Sequence, residues 1–136
     1  MWFLSLFDKL NIAKDNSYLE HLNKHNVIWI DIASLYTDIR DKNDFFKELE
    51  TNLLDDLNDA FPNVLKEMDN TISKAIIRIN SNINERFIFL IDEWDVIYRE
   101  QEYNTKLCDE YTELLRNLFK SSNVSSCIDL VYMTGI

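Results

Sequence analysis

The stretch Phe87-Ile88-Phe89-Leu90-Ile91 is followed at once by Asp92-Glu93-Trp94-Asp95. A run of apolar, β-prone residues that ends in two carboxylates has a physical use. A strand covered on both faces ends at the carboxyl edge of its sheet, where ligands bind in open α/β folds. A rigid strand fixes an acid placed there. Asp92 is the candidate cofactor-binding and metal residue, able to hold the Mg2+ of a nucleotide, usually through water. Glu93 is the candidate catalytic residue, able to orient or deprotonate an attacking water. Mg2+ favours one or two carboxylates plus phosphate oxygens over an all-protein cage. A lone Asp-Glu pair therefore suits a nucleotide–metal site better than a metal store. The pattern alone fits a plain solvated strand end equally well, because loops are polar.

The other chemistry-bearing residues read more blandly. His21 and His25 are spaced to share a helix face, but a zinc protease would carry Glu where Leu22 stands. Asp31 ends an apolar run without a second acid beside it and reads as structural. Asp95 reads as a helix cap or a solvated acid. Trp94 fits packing on the following helix, with a lid or stacking role as the alternative. Arg116 fits an exposed helix position, with phosphate contact as the alternative. No Ser/His/Asp or Cys/His nucleophile set is recognisable, and no acid-x-Lys nuclease core follows the strands.

The elements that position these residues follow from the spacing of apolar side chains. Residues 2–10 fit a short helix. Residues 16–25 read as a polar helix, with Asn16 or Ser17 as its cap and Glu20 at the capping-box distance from Ser17. Residues 27–32 form a continuous β-rich run, as do residues 87–92 and 128–134. Phe45, Leu49, Leu53, Leu57 and Phe61 recur at steps of four, which predicts an amphipathic helix. Pro62 suits the first turn of a second helix, striped by Leu65, Met68, Ile72, Ala75, Ile76 and Ile79 and broken over Ser81–Glu85. Leu107, Tyr111, Leu114, Leu115 and Leu118 mark a helix over residues 105–120, and Ser121–Ser126 reads as a turn. Strands separated by helices predict an α/β domain with a parallel sheet.

Composition limits the function classes. The chain has 136 residues, 14 of them basic and 24 acidic, with a formal net charge of −10. Such a chain is a poor binder of nucleic acid phosphates, which need clustered Lys and Arg. Gly135 is the single glycine and Ile136 follows it, so neither the P-loop G-x-x-x-x-G-K-[ST] nor the Rossmann G-x-G-x-x-G is present. No stretch approaches the roughly 20 apolar residues of a membrane span, and the apolar opening lacks a basic flank and cleavage site. Cys108 and Cys127 do not form a CxxC pair and read as reduced thiols. Together these features predict a cytoplasmic protein.

The residues around Ile91-Asp92-Glu93-Trp94-Asp95 resemble the Walker B segment of the AAA-ATPase-like family, predicted P-loop ATPases often joined to a nuclease-like region. Three further segments match in order. Leu10–Asp15 with His21–Ile28 resembles the family's approach to its second strand. Tyr111–Lys120 resembles the helix after Walker B. Val131–Ile136 resembles the start of the family's Tyr-Met-Thr-Gly-Ile signature. The resemblance covers nearly the whole chain.

The resemblance implies a partial P-loop NTPase-like, three-layer fold. Its parallel sheet of strands 27–32, 87–92 and 128–134 would keep the contiguous order 4-3-2 of a 5-1-4-3-2 parent, flanked by helices. Residues 1–136 would form one incomplete domain, with Walker A and the final strand outside the chain. It implies Mg2+ and ATP as cofactors of the parent domain. Thr134 then stands where such folds place a polar sensor of the γ-phosphate, while its residue type equally fits a turn before Gly135. Without the backbone N–H cradle, Lys and Ser/Thr of Walker A nothing positions a γ-phosphate, so the isolated chain is expected to hydrolyse ATP negligibly. The alternative is a non-catalytic interaction module that kept the fold. In either case the strand over residues 128–134 would present an open apolar edge, predicting poor solubility, self-association or a partner that completes the sheet.

Overall fold

A computed structural model describes residues 7–101 and 104–136. Three strands, β1 (Asn26–Asp31), β2 (Phe87–Asp92) and β3 (Ile128–Met133), form one parallel sheet in the order β1-β2-β3. The helices are α1 (Tyr18–His21), α2 (Ile32–Asp38), α3 (Phe45–Ala60), α4 (Ile72–Ile83), α5 (Val96–Glu100), α6 (Thr105–Phe119) and α7 (Ser122–Ser125). The expected α/β class, parallel pairing and strand order hold.

The sheet positions are set by alternation. Phe87, Phe89 and Ile91 of β2 and Ile28 and Ile30 of β1 are buried with Leu49, Leu53 and Leu57 of α3, Ala75, Ile76 and Ile79 of α4, and Leu107, Tyr111 and Leu118 of α6. Phe89 meets Phe119 edge-on at 5.3 Å between ring centroids. Each Leu, Ile or Phe side chain among these contributes about 1.5–3 kcal/mol on burial. The steps of four in α3 land Phe45, Leu49, Leu53 and Leu57 in this core as expected.

The strands were expected to be covered on both faces, and here the structure differs. The opposite face carries Val27 and Trp29 of β1, Ile88 and Leu90 of β2, and Leu130 and Tyr132 of β3, aligned in two cross-strand rows. Trp29 is 63% exposed, Tyr132 60%, Val27 and Leu130 52% each. Among the described residues no helix covers this face. Continuous apolar character in the sequence signals a two-sided strand, yet in β1 and β2 only alternate residues are buried and in β3 none is.

Several boundaries also shift. Pro62 does not start a helix: residues 61–71 form a turn-rich connection in which Asn63 takes a left-handed φ of 67°. The following helix begins only after Thr71, whose hydroxyl oxygen accepts the Lys74 N–H. The connection is organised by Asp69, which is buried, accepts the Lys66 N–H at 3.0 Å and pairs with Arg78 Nε at 2.9 Å. Helix α4 runs through the expected break to Ile83 and stops where Asn84 adopts a left-handed cap. The polar helix expected over residues 16–25 shrinks to the single turn α1, because Ser17 makes no side-chain cap and instead donates to Asp15. Residue 32 opens α2 rather than closing β1. Ser122–Ser125 form a helical turn within the expected Ser121–Ser126 turn. Most of the helix expected over residues 2–10 lies outside the described residues. Among the described residues no helix is long and apolar enough to cross a membrane.

The hydrogen bond from Arg78 holds the Asp69 carboxyl below its ordinary value. A depressed folded pKa adds stability above the unfolded value, and that stability is lost as pH falls through the folded one. Asp69→Asn is therefore expected to weaken the protein at pH 7. The gap from the parent chain should close below the ordinary carboxylate range of about 3.9. Urea denaturation at both ends of that window measures it, and a gap independent of pH would contradict the assignment.

Candidate functional site

β2 delivers Asp92 to the carboxyl edge of the sheet, in register with Asp31 of β1. By strand alternation Asp92 shares the uncovered face with Leu90, and Thr134, just beyond β3, shares it with Tyr132. A shallow pocket of about 190 Å³ there is lined by Trp29, Leu90, Ile91, Asp92, Tyr132 and Thr134.

The ends of β2 and β3 interlock. The Thr134 N–H donates to the Ile91 carbonyl at 2.9 Å, and the Thr134 carbonyl accepts the Trp94 N–H at 3.0 Å. The Thr134 hydroxyl donates to Asp92 Oδ1. The same oxygen accepts the Glu93 N–H at 3.0 Å. Thr134 is thus tied to the rim through both backbone groups and its side chain. Two of the three candidate site residues, Asp92 and Thr134, are in direct contact.

Glu93 is placed differently. Its backbone is left-handed, with φ 52°, a conformation that is uncommon outside glycine. Its carboxylate accepts Arg99 Nη2 at 2.8 Å, while Arg99 Nη1 reaches Asp95 Oδ2 at 3.0 Å. The hydrogen bond that Arg99 donates to Glu93, ahead of the one to Asp95, raises the Arg99 pKa above its ordinary value. Sequence reading missed Arg99. The available signal was the i,i+4 spacing of Asp95 and Arg99, which only matters once a helix is assigned over Val96–Glu100.

Asp95 precedes α5 without a side-chain cap bond, and its Oδ1 is buried without a partner among the described residues. Gly135 explains the crowding there. A Cβ on Gly135 would lie 2.4 Å from Asp95 Oδ1 and 3.0 Å from Trp94 Cδ1. The glycine is needed for close approach, not for an unusual φ. Trp94 meets Tyr98 of α5 at 5.9 Å between ring centroids, which is the packing role expected for it.

Asp31 is committed to structure. Its two oxygens accept the Ser34 N–H at 2.9 Å and the Ser34 hydroxyl at 2.7 Å, capping α2. The Ser34 N–H bond, ahead of the hydroxyl bond, lowers its pKa. His21 Nδ1 and His25 Nε2 lie 3.0 Å apart as a stacked, exposed pair. Arg116 is exposed on α6. Among the described residues no three His, Cys, Asp or Glu side chains converge as a metal cage.

The donor set at the rim suits Mg2+ shared with phosphate. Asp92 offers one carboxylate. Its Oδ1 is occupied by Thr134 and Glu93, and no hydrogen bond involves Oδ2 among the described residues. One carboxylate with a neighbouring hydroxyl matches the sparse protein ligation that Mg2+ accepts when phosphate supplies the remaining oxygens.

Gly135→Ala should force Asp95 or Trp94 to move and cost about 1–3 kcal/mol, as overpacking does. A thermal melt reads the loss, and an unchanged midpoint would show that the Asp95 side chain yields freely.

A family model described as Predicted AAA-ATPase matches residues 2–136. No curated protein and no solved structure matches the chain.

Proposed function

The chain belongs to the AAA-ATPase-like family, and on that premise we propose that the rim of β2 and β3 is the Walker B half of a nucleotide site. Asp92 holds Mg2+ through its carboxylate, Thr134 contacts the γ-phosphate, and Glu93 orients or deprotonates the attacking water. Mg2+ and ATP are the cofactors of this reading. The metal's chemistry is neutralisation of charge on the phosphate oxygens. Glu93 must first leave Arg99 to act as a base. The observation that carries the reading is the hydrogen bond from Thr134 to Asp92, which joins two residues 42 positions apart at the ligand-binding edge of a parallel sheet.

These 136 residues contain no Gly-rich phosphate loop. Positioning supplies most of phosphoryl-transfer catalysis, so the chain on its own turns over no ATP above background. The second reading, a non-catalytic interaction module, is favoured by the engagement of Glu93 with Arg99. A reducing compartment such as the cytoplasm fits Cys108 and Cys127, which are both unpaired.

Mn2+, a paramagnetic stand-in for Mg2+, separates the two readings. It should broaden the amide resonances of Asp92, Glu93 and Thr134 at millimolar concentration, and Asp92→Asn should abolish the effect. Broadening that survives Asp92→Asn, or none at this rim, favours the interaction module. ATP turnover by the purified chain that disappears in Glu93→Gln would overturn the proposed inactivity.

The proposal extends to how the sheet is completed. A strand added parallel to the outer edge of β3, with a helix laid over Trp29, Leu90 and Tyr132, would cover the exposed rows. Until covered, this face limits solubility. Trp29→Ser with Tyr132→Ser should raise the soluble fraction while leaving the melting midpoint nearly unchanged. A fall in both would show that the two residues belong to the chain's own core.

A further inference from the structure

The sheet has a second open edge among the described residues, at β1, and a cavity lies against it. This groove of about 500 Å³ runs between β1 and α3 and includes Ile28, Leu53, Asp56, Leu57, Ala60 and Phe61 in its wall. Among the described residues β1 is terminal in the sheet and pairs only with β2. Among the described residues no backbone hydrogen bond reaches its outer side. Every second residue of a strand presents its N–H and C=O to that side, so the edge is a row of unused donors and acceptors.

The two open edges differ in how they are guarded. β3 carries a register irregularity between the partners of Phe87 and Ile88, and Asp129 beside it pairs with Arg86 at 2.5 Å. Bulges and charges of this kind blunt an edge. The interior of β1, Val27-Ile28-Trp29-Ile30, has no charge, no proline and no bulge. An unguarded edge beside a helix with an apolar wall is the geometry in which an extended peptide adds a strand: backbone hydrogen bonds supply affinity and the wall selects alternate side chains.

We propose that the groove between β1 and α3 binds an extended, basic peptide segment of a partner protein, which pairs with β1 and lays alternate apolar side chains against Leu53, Leu57 and Phe61. Charge decides the occupant. Asp56 lines the groove, is exposed and makes no ion pair among the described residues. Asp55 and Asp59 flank it on the exposed side of α3, and the whole chain carries −10. A Lys or Arg in the peptide meets Asp56. A second copy of this chain would instead bring its own α3 acids against them, and like charges side by side are unfavourable. Trp29 borders both the groove and the Asp92 rim, but Asp92, Glu93 and Thr134 lie outside the groove wall, so the inference does not rest on the nucleotide reading.

The test uses the whole chain, labelled with 15N, and two eight-residue peptides that alternate Val with Lys or Val with Glu. The Val-Lys peptide should produce saturable shifts over Asn26–Asp31 and along Leu53–Phe61, and protect β1 amides from hydrogen exchange. Two variants probe the groove without touching the core. Asp56→Lys should weaken the Val-Lys peptide at least tenfold and admit the Val-Glu peptide. Ala60→Glu, at an exposed groove position, should obstruct both. Absence of saturable shifts at millimolar peptide overturns the proposal. So do shifts centred on Ile128–Met133, equal binding of both peptides by the parent chain, or concentration-dependent self-association of the free chain that maps to β1.

Discussion

Burial of Phe87, Phe89 and Ile91 is the constraint from which the rest of the structure follows. These three side chains make β2 the central strand, since no other strand places three residues so fully in the core. Period-two alternation then leaves Ile88, Leu90 and Asp92 on the opposite face. Asp92 reaches the ligand edge of the sheet because Ile91 is held inside. The backbone of Ile91 also accepts Thr134, so the same anchor sets the end of β3. A shift of one residue in the register of β2 would exchange Asp92 with a core side chain and dismantle both the rim and the core.

The rim shows how a short acidic segment is kept from collapsing on itself. Asp92, Glu93 and Asp95 lie within four residues, and their mutual repulsion is relieved in two ways. The Thr134 hydroxyl and the Glu93 N–H bind Asp92, while the Arg99 guanidinium takes one oxygen from each of Glu93 and Asp95. Arg99 is about one-third exposed. Pairs at such depth are worth little and weaken with salt. The Glu93 carboxylate is therefore held by a contact that a competing ligand can displace, whereas Asp92 is fixed by the strand. The two acids are adjacent in sequence but differ in how they are held.

Among the described residues the sheet is covered on one side only. Helices α3, α4 and α6 seal one face, while Trp29 and Tyr132 stand open on the other. Parallel sheets are ordinarily covered on both faces, so the exposed rows and the two strand edges describe a surface with unmet packing. The edges are chemically distinct: β3 carries Asp129 and a register shift, β1 carries an uninterrupted apolar run next to an acidic helix.

Much of this was legible in the residue order. The three strands, their parallel arrangement, the apolar stripe of α3, the packing of Trp94 and the structural role of Asp31 all follow from local periodicity and residue type. Such signals depend on neighbours within a few positions. Contacts between distant positions were not legible. Nothing in the sequence says that Asp69 would pair with Arg78, delaying α4 to Ile72, or that Gly135 is demanded by the Asp95 and Trp94 side chains. Nor could it say that Arg99 would hold Glu93, or that one face of an apolar strand would lie open. Composition reports that a residue is fit for burial, but whether it is buried depends on which element arrives to cover it, and that is a property of the folded chain.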